Sequence, residues 1–109
     1  MAFKVKTTDI FEQDLAEIYE YIRTHFFSEQ AALNTVQNIL LGLKNLEVFP
    51  TGGFKVAERT GRKVPGALDY RGLVLGNYIA FYDVDEKKKQ VIVDRLMSSR
   101  ENWIEVLSS

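Results

Sequence analysis

Three arginines, a histidine and a tryptophan carry most of the chemistry this chain could perform. Arg71, Arg95 and Arg100 lie in or just after segments of alternating apolar residues. A guanidinium there can hold a carboxylate or phosphate in a forked pair. Arg95 could instead bridge to Asp83 or Asp69 within a sheet, and Arg71 to Asp69 or Glu58. Arg100 and Trp103 together suit a contact patch on a partner, since both types anchor interfaces. Trp103 could equally close an edge of the core. The lone His25 could act as a general base. It falls at a helix end, however, where the dipole favours it, and far in sequence from every sheet cation, so a structural role is the simpler reading. Lys55, Arg59, Arg62 and Lys63 form a basic loop that either solvates itself or meets nucleic acid. Tyr78, Phe81 and Tyr82 could stack on bases, but on one alternating strand some must point into the core.

The remaining composition narrows these options. The 109 residues contain no cysteine, which removes a disulfide framework, a thiolate metal site and a cysteine nucleophile. No cofactor and no metal are expected. Net charge is −1 and the isoelectric point about 5.8. The global basic excess of a protein living on phosphate backbones is missing, so no sequence-specific DNA binding is expected. Charge is nevertheless uneven: Asp9, Glu12, Asp14, Glu17 and Glu20 crowd the first twenty residues, and the basic loop sits mid-chain. Residues 1–6 lack a long apolar run, and no segment approaches the roughly 20 apolar residues of a membrane span. A cytoplasmic protein with no membrane partner is expected.

The elements that must position these residues can be read from periodicity. Residues 3–6 alternate as a short strand. Thr7, Thr8 and Asp9 supply helix-capping side chains, Asp9 with Glu12 resembles a capping box, and Phe11, Leu15, Ile18 and Ile22 then line one helical face. This helix should end near His25. Ser28 should cap a second helix that buries Ala32, Val36, Ile39, Leu43 and Leu46 and stops before Pro50. Residues 51–66 read as a long polar connection punctuated by glycines. Residues 68–75, 78–84 and 90–97 read as a three-stranded meander. Gly76-Asn77 makes the first turn, and Lys87, Lys88 and Lys89 form a solvated tip in the second. Val91, Val93 and Arg95 should share one face, with Ile92, Asp94 and Leu96 on the other. Ser98-Ser99 should cap a last short helix carrying Trp103. The expectation is a single α+β domain over residues 1–109. An N-terminal strand and helical hairpin pack on an antiparallel sheet whose other face stays partly open.

The run from Asp14 to Ile22, the hairpin from Tyr70 to Asp85 and the strand from Val91 to Met97 with Arg100 together resemble the RelE/ParE superfamily of type II toxin–antitoxin toxins, closer to its ParE-like branch. The similarity extends over essentially the whole chain. It implies the fold just described and a cognate antitoxin whose partly disordered tail folds on the toxin. It also implies one of two targets. RelE-like members cut messenger RNA on the ribosome, and ParE-like members inhibit DNA gyrase.

Metal-independent RNA cleavage needs a base, an acid and cations for the extra phosphate charge. RelE-like members place an arginine directly after the tyrosine that opens the central strand, whereas Ile79 follows Tyr78 here. Arg71 is the only cation between Tyr70 and Leu75, and no histidine lies between Leu96 and Arg100. The resemblance therefore points first to a toxin that binds gyrase, with Arg71, Arg95, Arg100 and Trp103 as partner-binding residues. The alternative is a ribosome-dependent endoribonuclease using Arg71, Arg95 and Arg100. A further alternative is a non-toxic relative that only binds its antitoxin.

Overall fold

The computed structural model describes residues 2–108. The chain opens with strand β1 (Lys4–Thr7) and helix α1 (Asp9–His25), followed by helix α2 (Glu29–Lys44) and a single 3-10 turn (Asn45–Glu47). After a loop come β2 (Phe54–Lys55) and α3 (Val56–Thr60), then β3 (Tyr70–Leu75), β4 (Tyr78–Asp85), β5 (Gln90–Ser98) and α4 (Trp103–Ser108).

Local chemistry explains the helix ends. Thr8, in extended conformation, accepts a hydrogen bond from the Phe11 amide and so caps α1. Of the capping side chains that Thr7, Thr8 and Asp9 offer, Thr8 is the one used, and Asp9 does not form the capping box with Glu12. Asp9 and Glu12 instead sit in the first turn, where they complement the helix dipole. Ser28 caps α2 by accepting from the Ala31 amide, as its position before the apolar stripe suggests.

The five strands form one sheet in the order β1-β5-β4-β3-β2. The meander β3-β4-β5 is antiparallel, as its short turns require. β1 joins it at the edge of β5 in parallel orientation, because α1 and α2 intervene before the chain returns. Of the turn pair Gly76-Asn77, only Gly76 takes a positive φ.

The helical hairpin covers one face of the sheet. Phe11, Leu15, Ile39, Leu43 and Leu46 meet Ala80, Tyr82, Val84, Val91, Val93 and Leu96 in the larger core. Complete burial of a side chain such as Phe11 is worth about 2–3 kcal/mol. The opposite face, expected to be partly open, is covered instead. Val56, Tyr70, Ile79, Phe81 and Met97 form a second core there, and Phe54, Val64, Ala67, Trp103 and Leu107 pack on it. The connection over residues 51–66 is thus not merely a polar loop. It contributes edge strand β2 and helix α3, whose short apolar contacts were too brief to give a period. Gly53 lets this segment approach the sheet: a Cβ there would lie 2.5 Å from the Gly72 carbonyl oxygen and 2.6 Å from the Tyr82 hydroxyl.

The register between β4 and β5 slips at one place. Phe81 pairs with Arg95 and Tyr82 with Val93, which leaves Asp94 as the extra residue of a β-bulge. The expected grouping of Val91, Val93 and Arg95 on one face therefore fails beyond the bulge. Val91, Val93 and Leu96 face the helices, while Met97 joins the second core.

The bulge is held by the start of α1. The Thr8 amide donates to the Val93 carbonyl at 3.1 Å, and the Thr8 hydroxyl donates to the Asp94 carbonyl at 3.2 Å. Asp14 Oδ2 then accepts from the Leu96 amide at 2.9 Å and from Arg95 Nε at 3.0 Å. Beyond the last β1 pair, α1 thus supplies the partners that an edge strand would otherwise provide. Asp14→Ala should strip both donors of their acceptor and cost about 2 kcal/mol or more. Asp14→Asn, which keeps one acceptor oxygen, should recover part of that. Urea unfolding midpoints of the two variants check the ranking.

Candidate functional site

The three arginines proposed from sequence are not gathered around one point. Arg71, on β3, spends its guanidinium on its own framework. Its Nε donates to Asp69 Oδ2 at 3.1 Å, and its terminal nitrogen donates to the carbonyls of Thr51 and Gly53. The side chain is largely buried at 12% exposure. Of the alternatives open in the sequence, Arg71 takes the in-sheet pair with Asp69 and uses it to anchor the loop leading into β2.

Arg95 lies two strands away, separated from β3 by β4, hence on the order of 10 Å across the sheet. It pairs with Asp14 of α1, and not with Asp83 or Asp69. Asp83 is occupied elsewhere, accepting from the amides of Leu68 and Asp69 at the entry to β3. Arg95 sits directly after the bulge, at the edge of β5 that the start of α1 borders, which brings Asp14 within reach.

Arg100 is exposed in the turn after β5. Its backbone amide donates to Ser98 Oγ, and its guanidinium has no ion pair among the described residues. Trp103 follows at the start of α4 and is half-buried. Its ring lies 5.3 Å from Phe81 and 5.6 Å from Phe54, so it seals the second core while one side remains accessible. Of the predicted contact residues, Arg100 is the exposed one, while Trp103 and Arg95 are partly exposed.

The second face holds a polar pair that sequence reasoning missed. Tyr70 stacks in parallel on Phe81 with centroids 6.3 Å apart, and its hydroxyl donates a short hydrogen bond to Asp94 Oδ1. Burial pushes the Asp94 carboxyl above its ordinary value of 3.8, against the opposing effect of the Tyr70 hydrogen bond. Burial also pushes the Tyr70 hydroxyl far above its usual range, reinforced by the same carboxylate. A signal for this arrangement was present in β5. The apolar positions Val91 and Val93 are followed by Leu96 and not by residue 95, a one-residue phase slip that marks a bulge at Asp94-Arg95.

The other candidates take structural places. His25 stacks on Tyr21, with centroids 4.9 Å apart and planes 12° apart, at the exposed end of α1. Tyr82 is buried in the larger core, where its hydroxyl accepts from the Gly53 amide at 2.9 Å. Phe81 is buried in the second core, and Tyr78 packs against the first. In the basic loop, Arg59 lies over the Phe54 ring at 4.1 Å. Lys55 and Lys63 border a small cleft of about 180 Å³ beside Tyr70, and Arg62 is exposed. Among the described residues no three His, Asp or Glu side chains converge as metal ligands, and no helix is long and apolar enough to cross a membrane.

A helical hairpin laid on a five-stranded sheet, with a short C-terminal helix on the other side, is the architecture of RelE/ParE toxins. The ParE toxin model of the parDE type II toxin–antitoxin system matches residues 5–103, and the chain belongs to that family. Among solved structures it is similar to a chain of the chromosomal ParDE toxin–antitoxin system from P. aeruginosa. That match has 25% identity, covers 89% of this chain and 96% of the other, and has a TM-score of 0.68. A chain of the archaeal RelE–RelB complex from Pyrococcus horikoshii OT3 shares the fold at 21% identity, 93% and 100% coverage and a TM-score of 0.60. A mutant of E. coli toxin RelE in the free state does so at 15% identity, 97% and 93% coverage and a TM-score of 0.56. No curated protein matches the sequence.

The Tyr70–Asp94 pair makes a pH prediction. An acid whose folded pKa is raised contributes stability while protonated and loses it as pH rises through that raised value. Ionised Asp94 is thus a cost at neutral pH. Asp94→Asn should be at least as stable as the native chain at pH 7, with the difference closing below pH 3.8. Tyr70→Phe removes the donor that steadies the carboxylate. It should move the Asp94 titration further up and cost about 1–3 kcal/mol at pH 7. Carboxyl-detected NMR titration and urea unfolding test both.

Proposed function

We propose that this chain is a growth-inhibiting toxin that works by binding a protein target, DNA gyrase, and is neutralised by a cognate antitoxin. The observation that carries the binding mode is the commitment of its cations. Arg71 is tied to Asp69 and two loop carbonyls, and Arg95 is tied to Asp14. A cleaving site needs cations free to meet a phosphate as charge develops. Here the sheet face that would present them is filled by Tyr70, Phe81, Met97, Phe54 and Trp103. Membership of the ParE family supports gyrase as the target, and relatives described as toxin–antitoxin systems and complexes support the antitoxin. The proposed site of this encounter is the cytoplasm.

On this reading Arg100 and Trp103 supply the contact with the target. Arginine and tryptophan are common interface anchors; Arg100 is exposed, Trp103 is partly exposed three residues on, and neither is paired in the sheet ladder.

The purified chain should block supercoiling by purified gyrase. Arg100→Ala should weaken that block about tenfold or more without moving the thermal midpoint, which corresponds to losing one good anchor of about 1.4 kcal/mol. Unaffected supercoiling at large toxin excess, together with transcript cleavage on induction, would replace this reading with the ribosome-dependent endonuclease. Normal growth on induction without antitoxin would leave only an antitoxin-binding relative.

A further inference from the structure

Four cations around α3 have no ion pair among the described residues. Lys55, Arg59, Arg62 and Lys63 are all exposed, whereas the ion pairs of the fold are made by Arg23, Arg71, Lys89 and Arg95. The local backbone gathers them. Gly61, at a φ of 73°, ends α3 in the left-handed region and turns the chain back. Lys55, just before α3, and Lys63, just after it, thereby border one cleft of about 180 Å³. Arg59 lies over the Phe54 ring at 4.1 Å, which steadies the guanidinium while its edge donors stay open to a ligand.

This charge is set apart from the rest of the molecule. Residues 54–63 carry four cations and one carboxylate, Glu58, whereas residues 9–47 carry seven carboxylates and two cations. The hairpin covers one face of the sheet and the α3 segment packs on the other. Packed layers lie about 10 Å apart, beyond the screening length of about 8 Å at physiological salt, so the acidic layer does not cancel the basic one. The carboxylates close to the cleft are taken. Asp69 lines it but accepts from Arg71 Nε, and Asp94 accepts from the Tyr70 hydroxyl. A net charge of −1 thus conceals one basic side, which a polyanion would turn toward itself.

We propose that the α3 segment grips the phosphate backbone of duplex DNA without reading its sequence, with Lys55 and Lys63 clamping one phosphate at the cleft and Arg59 and Arg62 meeting its neighbours. The surrounding side chains select this polyanion over others. A single strand is held by stacking its bases on open aromatic faces. Here Phe54 carries Arg59 and lies 5.6 Å from Trp103, and Tyr70 is buried against Phe81, so only backbone contacts remain. An anionic lipid surface favours cations flanked by exposed apolar side chains. Val56 is buried and Val64 and Ala67 pack on the second core, which leaves Leu68 as the exposed large apolar residue of the segment. The patch binds without cutting, because the one hydroxyl lining the cleft, that of Tyr70, is already donated to Asp94. Such a grip would hold the chain on the duplex that its proposed target enzyme works on, yet it does not depend on that target.

The test measures binding of the full chain to a fluorescently labelled short duplex by anisotropy, with no other protein present. The chain should bind at low salt, equally for two unrelated sequences, and the logarithm of affinity should fall against the logarithm of salt with a slope of about −3, as three to four phosphate contacts require. The Lys55→Gln, Lys63→Gln double variant should lose about tenfold or more at low salt and flatten that slope by about 2. Lys55→Arg with Lys63→Arg should retain binding. The Lys87→Gln, Lys88→Gln double variant removes the same charge from the β4–β5 turn and should bind as the native chain does. Circular dichroism confirms the fold of each variant. Absence of duplex binding at low salt overturns the proposal, as does an equal loss in the two glutamine variants. Tighter binding to a single-stranded oligonucleotide, or to vesicles containing phosphatidylserine, overturns it in favour of that other polyanion. Because gyrase is absent from the assay, a failure here leaves the target reading standing, and a failed supercoiling block leaves duplex binding standing.

Discussion

One carboxylate joins the two halves of this fold. Asp14 of α1 accepts from the Leu96 amide and from the Arg95 side chain, at the place where β1 no longer covers the edge of β5. A strand edge left there would present unsatisfied donors to solvent or to another chain. The helix closes it instead, with the Thr8 hydroxyl capping α1 and reaching the Asp94 carbonyl in the same stroke. Helix start, strand edge and bulge are therefore set together.

The bulge in turn decides what the second face can be. With Asp94 extruded from the β4–β5 ladder, its carboxylate meets the Tyr70 hydroxyl beside Phe81, while Arg95 turns to α1. Trp103 then closes over Phe81 and Phe54. A face that could have displayed charge becomes a packed layer with one satisfied polar pair. That is why a binding mode follows more readily from this sheet than a cleaving one.

Long, strongly periodic segments were legible in the sequence. The stripe Phe11, Leu15, Ile22 and the cap Ser28 announce the hairpin, and the turn residues announce the meander, because both depend on contacts within a few residues. The parallel attachment of β1 was not legible, since a four-residue strand carries no mark of its partner's direction. β2 and α3 were missed for a related reason. Two and five residues respectively give no period, and they form because Gly53 permits close approach and Arg71 holds the loop. The candidate site was legible as a set of residue types and not as an arrangement. Arg71 kept one of its two expected partners, whereas Arg95 found one on a different element, 81 positions earlier in the chain.

The sequence by itself determined the order of elements, the apolar faces and the absence of cysteine chemistry, because those are properties of neighbouring residues and of composition. It also determined the family resemblance, which the match over residues 5–103 made membership. Tertiary structure alone decided which arginines are spent and which is available. A guanidinium's role is set by the carboxylate that reaches it through space, and for Arg95 that carboxylate comes from the first helix. Arg100, in the turn past β5, meets no such carboxylate among the described residues and stays exposed.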